Sequence, residues 1–348
     1  MKYTTTPNDS RYSEIIDVRS PWEFQEDHVP GAINLPVLDD EERSRVGTLY
    51  KQESPFVARK VGAALISRRI ARHLENHFSA KDKDYHPLVY CWRGGTRSQS
   101  LALVLEQIGW QVTVLTGGYK TYRTAVRQQL AILPQQFEYK ILSGLTGVGK
   151  TAILQQLAQL GEQVLDLEAI AHHRGSILGH FWDEQPQPSQ KRFESLLLQQ
   201  FQTFEPHKIV WLEAESSKIG LLHLPPQLWE MMQKATAVGI QLPLEMRVEG
   251  LLQQYPHLTA HPQLLKQQLS RLQYRYGKAK VEQWYDLINS QQWRVLVRDL
   301  LVFHYDRAYT RSLQRRDRVW DYTLTLTNLS TASVVAAAIS LRDGVTGS

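Results

Sequence analysis

The sequence holds a single cysteine and no long apolar run. One thiol can neither close an internal disulfide nor build a cysteine-based zinc site, which fits a reducing compartment and leaves Cys91 free for chemistry. Apolar runs such as Val334 to Ile339 fall far short of the roughly 20 residues that span a bilayer. Met1 to Ser10 is polar and lacks the apolar core of a secretory signal. The expectation is a cytoplasmic protein with no membrane partner. Neither sign of charge dominates: 40 Lys and Arg against 35 Asp and Glu leave a net charge of +5, which permits a polyanionic partner without demanding one. With 42% hydrophobic and 22% charged residues the chain is neither disordered nor fibrous. Its 348 residues suggest about two domains, each large enough for its own core.

What is present centres on that cysteine. Cys91-Trp92-Arg93-Gly94-Gly95-Thr96-Arg97-Ser98 follows the apolar run Leu88-Val89-Tyr90 and precedes a segment with Leu101, Val104, Leu105 and Ile108 on one face, which predicts strand, loop and helix. Gly94 and Gly95 permit left-handed turns that fold such a loop into a bowl, with backbone N–H groups and the helix N-terminus aimed at one sulfur. Arg93 and Arg97 add positive charge, and the combination favours a nucleophilic thiolate.

Upstream, Glu14 to Val18 reads as a short strand, and His28-Val29-Pro30-Gly31-Ala32-Ile33-Asn34-Leu35-Pro36 is a punctuated turn leading to another. The strand end Asp17-Val18-Arg19, this segment, and a later loop carrying Cys91, Gly94, Arg97 and Ser98 together resemble the rhodanese domain. The resemblance implies that Cys91 carries a sulfur-type atom. Asp17, Arg19 and His28 read as exposed residues that hold turns and ion pairs. The stretch from Asp39 to Ser79 opens on a charged run and becomes helical near Ala63 to Leu74. Val112 to Leu115 is a strand, and a helix from about Thr121 to Leu130 leads to Pro134, the predicted domain junction.

The second half opens on the strand Tyr139 to Ser143, then Gly144-Leu145-Thr146-Gly147-Val148-Gly149-Lys150-Thr151 and the helical run Ala152 to Leu160. This is Gly-x-x-x-x-Gly-Lys-Thr in the strand, loop and helix context of a P-loop. Backbone N–H groups from Gly147 through Val148 and Gly149 to Thr151 would hold diphosphate oxygens, Lys150 would supply a point charge, and Thr151 could ligate magnesium. Val164 to Asp166, Ile209 to Glu213 and Ala237 to Ile240 read as further strands. Glu213, and less readily Asp166, stands where a carboxylate either assists magnesium or caps the next turn. No Asn-Lys-x-Asp guanine-reading motif follows. No metal site is certain and no bound organic cofactor is called for.

Polar clusters after these strands supply candidates for gripping a substrate or RNA: His173, Arg174, Ser176 and Lys218. The alternative is loop residues satisfying one another. From Leu242 onward the chain turns helical and basic. Arg271, Tyr274, Arg275, Tyr276, Lys278 and Lys280 form one basic and aromatic group; Arg307, Tyr309, Arg311, Arg315, Arg316 and Arg318 form another. Arg307, Arg311 and Arg315 share a helical face, which either meets phosphates or is solvated.

The expected fold class is α/β, with an N-terminal rhodanese-like α/β domain (1–133) and a C-terminal P-loop NTPase-like parallel-sheet domain (134–348) whose last part is helical and basic. This order, with Glu-Glu-Arg and Val-Gly-Thr-Leu-Tyr-Lys-Gln between Asp39 and Gln52, the Cys-Trp-Arg-Gly-Gly loop, the Asp-Leu-Glu to Gly179 block and Glu-Ala-Glu-Ser-Ser-Lys-Ile-Gly, resembles the tRNA 2-selenouridine synthase family over nearly the whole chain. The resemblance implies a transferase that converts the wobble 2-thiouridine of tRNA to 2-selenouridine through an S-geranyl intermediate. It further implies geranyl diphosphate and selenophosphate as co-substrates, Cys91 as selenium carrier, contact with the tRNA anticodon region, and an enzyme supplying selenophosphate. Two other classes fit the motifs alone: a P-loop kinase fused to a sulfurtransferase, and a nucleotide-gated persulfide carrier.

Overall fold

The computed structural model describes residues 1–7, 10–175, 178–179, 185–214, 216–314 and 320–344. It divides into two compact units, one formed by 1–130 with 188–199, the other by 131–187 with 200–348. The stretch 188–199, which the sequence leaves within 134–348, therefore belongs with the cysteine-bearing unit. Among the described residues no helix is long and apolar enough to cross a membrane.

The first unit runs β1 (Lys2–Thr4), β2 (Glu14–Asp17), α1 (Pro21–Glu26), β3 (Ala32–Asn34), α2 (Asp40–Gln52), α3 (Pro55–Asn76), β4 (Pro87–Tyr90), α4 (Thr96–Ile108), β5 (Thr113–Leu115) and α5 (Gly118–Leu130). Its strands form one parallel sheet in the order β1-β5-β4-β2-β3. Ile16, Val89, Val114, Leu101 and Leu105 meet in its core, where strands buried on both faces read as continuous apolar runs. The helical stretch beyond Asp39 is two helices. Asp39 and Glu42 close a reciprocal capping box that starts α2. Ser54 and Pro55 then start α3.

The second unit runs β6 (Glu138–Ser143), α6 (Lys150–Gln159), β7 (Gln163–Val164), α7 (Leu167–Ala171), α8 (Gln190–Thr203, whose first part belongs to the first unit), β8 (Ile209–Glu213), a small antiparallel pair β9 (Lys218–Ile219) and β10 (Leu222–His223), α9 (Pro226–Lys234) and β11 (Thr236–Gln241). Helices follow: α10 (Leu244–Gln254), α11 (Pro256–Ala260), α12 (Pro262–Ser270), α13 (Gln273–Tyr276), α14 (Lys278–Asn289), α15 (Trp293–Leu300), a wider π-type turn over Leu301–Tyr305, and α16 (Asp306–Gln314). The chain then returns as β12 (Tyr322–Thr325) and ends in α17 (Thr331–Arg342). The parallel sheet has the order β12-β11-β6-β8-β7. Asp166 does not extend β7, because its carboxylate accepts from Ala169 N at 2.9 Å and so caps α7. The region beyond Leu242 is not wholly helical: β12 pairs with β11 from Tyr322 to Thr325.

Of Asp17, Arg19 and His28, expected to be exposed, Asp17 and Arg19 are each 0% exposed and His28 is half-buried; Asp27 beside them is also 0% exposed. Arg19 donates to both carboxylate oxygens of Asp17, the shortest at 2.6 Å, and to the Asp27 carbonyl at 2.6 Å, with its guanidinium 4.0 Å from the Tyr119 ring centre. Asp27 in turn accepts from Tyr119 Oη at 2.8 Å and Ser195 Oγ at 2.9 Å, which seats α8 on this unit. His28 donates from Nδ1 to the Phe24 carbonyl at 2.9 Å and stacks on the Phe24 ring. Removing one partner of a buried ion pair leaves an uncompensated charge. Asp17→Ala is expected to lower the stability of the first unit by about 3–5 kcal/mol in urea unfolding, and a loss under about 1 kcal/mol, the range of exposed pairs, would contradict this account.

Candidate functional site

In the first unit the Cys91 loop joins β4 to α4. Gly94 takes the left-handed conformation (φ 66), whereas Gly95 does not (φ −95). The other left-handed positions are Gly117 (φ 71) and Gly118 (φ 58), at the start of α5. A Cβ on Gly118 would lie 2.2 Å from the Cys91 carbonyl oxygen, so the two backbones meet only because that residue is glycine. At this meeting Tyr119 N donates to the Cys91 carbonyl at 2.8 Å and Lys120 N to the Trp92 carbonyl at 3.0 Å. The α5 N-terminus thus takes the loop's carbonyls, while the amides from Trp92 to Ser98 donate to no described group. Unpaired amides on successive residues at a helix N-terminus form an anion cradle.

Cys91 is 3% exposed, more covered than an open bowl suggests, but its surroundings are polar on one side. Ser98 Oγ lies 3.3 Å from Sγ and donates to it, and the Gly95 carbonyl is 3.9 Å away. Arg97 faces Glu23: its guanidinium meets that carboxylate at 2.6 Å. Burial opposes the charge on Glu23, but the hydrogen bond and charge of Arg97 outweigh it and hold this carboxyl below its ordinary range. Arg97 is therefore a neutralised anchor between α4 and α1. Arg93 is exposed and has no partner among the described residues, so it is the unmatched cation at the loop. Lys191 of α8 pairs with Glu26 at 2.7 Å and lies 5.8 Å from the Trp92 ring centre, a neighbour not legible in the sequence.

In the second unit the P-loop has the expected shape. Gly147 (φ 82) and Gly149 (φ 89) are left-handed, and the amides from Thr146 to Ala152 donate to no described group. Lys150 Nζ donates to the Gly144 carbonyl at 3.1 Å. Thr151 Oγ1 donates to Glu213 Oε1 at 2.6 Å. Burial lifts the Glu213 carboxyl above its ordinary value of 4.5, with the Lys150 charge and the Thr151 hydroxyl acting the other way. Thr151 and Glu213, with Asp166 and Glu168 on the same cleft, are hard oxygen groups that suit magnesium shared with a phosphate ligand. Among the described residues no cluster of three or more His, Cys, Asp or Glu side chains is placed to hold a metal by itself.

Two supports were not visible in the motif. Tyr309 Oη accepts from Gly144 N at 2.6 Å and meets Ser143 Oγ at 2.7 Å. Arg247 is buried, donates from Nε to the Thr146 carbonyl at 2.8 Å, and forms a two-pronged pair with Asp306. Both hold loop backbone from a distance of a hundred residues or more in sequence, where spacing carries no signal.

The P-loop lies in a cleft of about 820 Å³. Of the substrate candidates, Arg174 and Arg275 line it, and Arg174 stacks at 4.4 Å over Tyr255. His304 also lines it, pushed down to about 4 by burial and then by the Arg275 charge, so it is neutral at physiological pH. His173 is buried and accepts from Gly175 N, a structural role. Lys218, Arg307 and Arg311 are exposed and away from the cleft lining, Arg307 lying over Phe303. Ser176, Arg315, Arg316 and Arg318 lie outside the described residues. At its inner side the cleft shares Thr146, Leu251, Tyr255 and Tyr305 with a narrow apolar slot walled by Leu252, Leu296, Val297, Leu300 and Leu301.

Comparison with known proteins gives matches over both units. The profile described as tRNA 2-selenouridine synthase AAA domain matches residues 137–324, and that of the rhodanese-like domain matches 5–125. A protein of Shewanella denitrificans named tRNA 2-selenouridine synthase is 40% identical over 245 residues, 69% of this chain and 65% of its own length, just short of two thirds. One of Shewanella halifaxensis with the same name is 31% identical over 340 residues, 88% of this chain and 90% of its own. Among solved structures, the N-terminal domain of a putative ATP/GTP binding protein from Clostridium difficile 630 is 37% identical over 32% of this chain, with a TM-score of 0.30.

The buried Glu213 has a consequence for stability. An acid whose folded value is raised holds its proton in the native state where the unfolded chain has lost it, so its contribution to stability falls as pH rises above 4.5 and through the raised value. Glu213→Gln is expected to flatten that decline and to melt higher than the wild type at neutral pH. Parallel melting curves from pH 4 to pH 8 with equal slopes for both proteins would refute it.

Proposed function

The chain belongs to the tRNA 2-selenouridine synthase family, and on that premise we propose that it replaces the sulfur of a wobble 2-thiouridine in tRNA by selenium, through an S-geranyl intermediate. The observation that carries this proposal is the apolar slot opening from the P-loop cleft. A phosphate cradle beside a hydrocarbon wall suits an amphiphile with a diphosphate head, and geranyl diphosphate has that chemistry. A purine or pyrimidine would call for polar edge contacts that the slot walls do not offer.

In the first step the thiouridine sulfur attacks the allylic carbon of geranyl diphosphate. The carbon–oxygen bond breaks, its electron pair leaves on pyrophosphate, and the base loses its N3 proton. The free amides from Gly147 to Thr151 and the ammonium of Lys150 stabilise charge that grows on the departing diphosphate. Magnesium, where bound, would be held by Thr151 and Glu213 and would add charge to the same end. In the second step a selenium nucleophile adds at carbon 2 of the base, and geranyl thiolate leaves and takes up a proton. Selenium enters and sulfur departs at the same oxidation level, so this exchange needs no oxidant or reductant.

Cys91 is the proposed selenium carrier, with selenophosphate as the source and an enzyme supplying selenophosphate as a partner. The unpaired loop amides support a chalcogen anion on Sγ, and Arg93 is the cation free to approach it. Selenophosphate holds selenium at the selenide level and Cys91 is the only thiol, so loading starts from a mixed disulfide of Cys91 with an external thiol: water takes the phosphoryl group, the freed selenide attacks Sγ and expels the external thiolate to leave Cys91–S–Se⁻, and return of that thiolate to Sγ releases selenide and restores the mixed disulfide. Arg174 and Arg275 on the cleft, with the exposed Tyr274 next to Arg275 in sequence, are the proposed contacts for the anticodon region, and a tRNA substrate is consistent with a cytoplasmic protein.

The two steps separate by mutation. With thiolated tRNA, geranyl diphosphate and selenophosphate, and nucleosides analysed by mass, Cys91→Ser is expected to abolish selenouridine while S-geranyl-thiouridine still forms. Lys150→Ala is expected to slow geranylation by about a hundredfold or more. Normal geranylation by Lys150→Ala would remove the P-loop from the first step, and loss of both products in Cys91→Ser would argue for one shared site.

A further inference from the structure

In the second unit three spaces lie in series. The P-loop cleft adjoins the apolar slot, the two sharing Thr146, Leu251, Tyr255 and Tyr305 in their walls. The slot in turn shares only Thr259 and Trp293 with a third space, a polar basin lined by Gln263, Lys266, Asn289 and Gln291. Trp293, the first residue of α15, packs against the helical core of Leu265, Leu269, Trp284 and Leu296. Thr259, on α11, is fixed by donating its hydroxyl to the Pro256 carbonyl at 2.8 Å. These two residues are the partition between hydrocarbon walls on one side and an ammonium and amides on the other; Lys266 Nζ donates to Asn289 Oδ1 behind it.

We infer that Trp293 and Thr259 set the length of the hydrocarbon chain that the protein accepts, an inference that rests on an allylic diphosphate occupying the P-loop. The slot encloses about 70 Å³, space for roughly five to seven waters, which is about one isoprene unit. With the diphosphate on the P-loop amides, the first isoprene unit of a ten-carbon chain lies at the mouth by Leu251, Tyr255 and Tyr305, and the second fills the slot up to the indole of Trp293. A five-carbon chain leaves the slot unfilled and forfeits that burial. A fifteen-carbon chain has to pass the indole and place its apolar end against Lys266 and Asn289, stripping water from polar groups without replacing their hydrogen bonds.

The test compares chain lengths within each variant of the full chain, using kcat/KM on thiolated tRNA with dimethylallyl, geranyl and farnesyl diphosphates. The wild type is expected to favour geranyl. Trp293→Ala, which joins slot and basin, is expected to raise the farnesyl-to-geranyl ratio on the order of tenfold. Thr259→Phe, which shortens the slot, is expected to raise the dimethylallyl-to-geranyl ratio on the order of tenfold. Because each readout is a ratio, a general loss of active protein cancels, and if Trp293→Ala does not fold, Thr259→Phe decides. Unchanged ratios in the variants that fold, with Lys150→Ala still defective toward every diphosphate, would overturn the inference while leaving the P-loop assignment standing. Wild-type use of all three diphosphates by Lys150→Ala would instead remove the assignment on which the inference rests.

Discussion

Both candidate sites depend on the same backbone constraint: carbonyl groups taken up by dedicated partners, so that neighbouring amides are left without acceptors among the described residues. In the first unit the partner is the start of α5, where Tyr119 N and Lys120 N hold the carbonyls of Cys91 and Trp92. The approach that makes this possible leaves 2.2 Å between a Cβ at position 118 and the Cys91 carbonyl, so glycine is obligatory there. In the second unit Arg247 takes the Thr146 carbonyl and Lys150 takes that of Gly144. A loop whose carbonyls are already bound presents mainly positive dipole ends, and its preference for an anion is then built into the fold before any charged side chain is counted.

Charged side chains play a more limited part than their positions in the motifs suggest. Arg97 is part of the cysteine motif, yet its charge is matched by Glu23, and its effect is to tie α4 to α1 behind the loop. Arg19, Asp17 and Asp27 form a fully buried group whose task is mechanical, since it joins the ends of β2 and α1 to Tyr119 and to Ser195. Buried polar networks of this kind fix geometry when each member is satisfied. Two atoms of the group, Arg19 Nη1 and Asp27 Oδ1, lack a partner among the described residues, a desolvation cost that its other hydrogen bonds must offset.

Much of this organisation is legible in the sequence, and the limits follow from range. The P-loop and the cysteine loop are contiguous, with glycines where the backbone turns left and apolar runs before and after, so local pattern suffices. The central strands β4, β8 and β11 are read for the same reason, each being a short, largely apolar run buried on both faces, and β6 is read from its buried end at 141–143 leading into the P-loop. The edge strands β1 and β12 are missed because Lys2–Thr4 and Tyr322–Thr325 are polar or mixed and become strands only by pairing with β5 and β11. Tyr309 and Arg247 escape notice because they act across the fold. The segment 188–199 is assigned by sequence order to the P-loop half, whereas Ser195 and Lys191 find their partners, Asp27 and Glu26, far upstream.

The two cradles differ in what surrounds them, and the difference matches the two leaving groups proposed. A diphosphate leaves with a large, hydrated charge, and the P-loop cleft is broad, polar at one end and within reach of Arg174 and Arg275. A chalcogen anion is small and easily oxidised, and Cys91 is 3% exposed, with one hydroxyl and one carbonyl near its sulfur. Exclusion of water strengthens the interaction of the Ser98 hydroxyl with that sulfur and limits access by oxidants. The sulfur is therefore protected by the fold, while the same loop carries an exposed cation, Arg93.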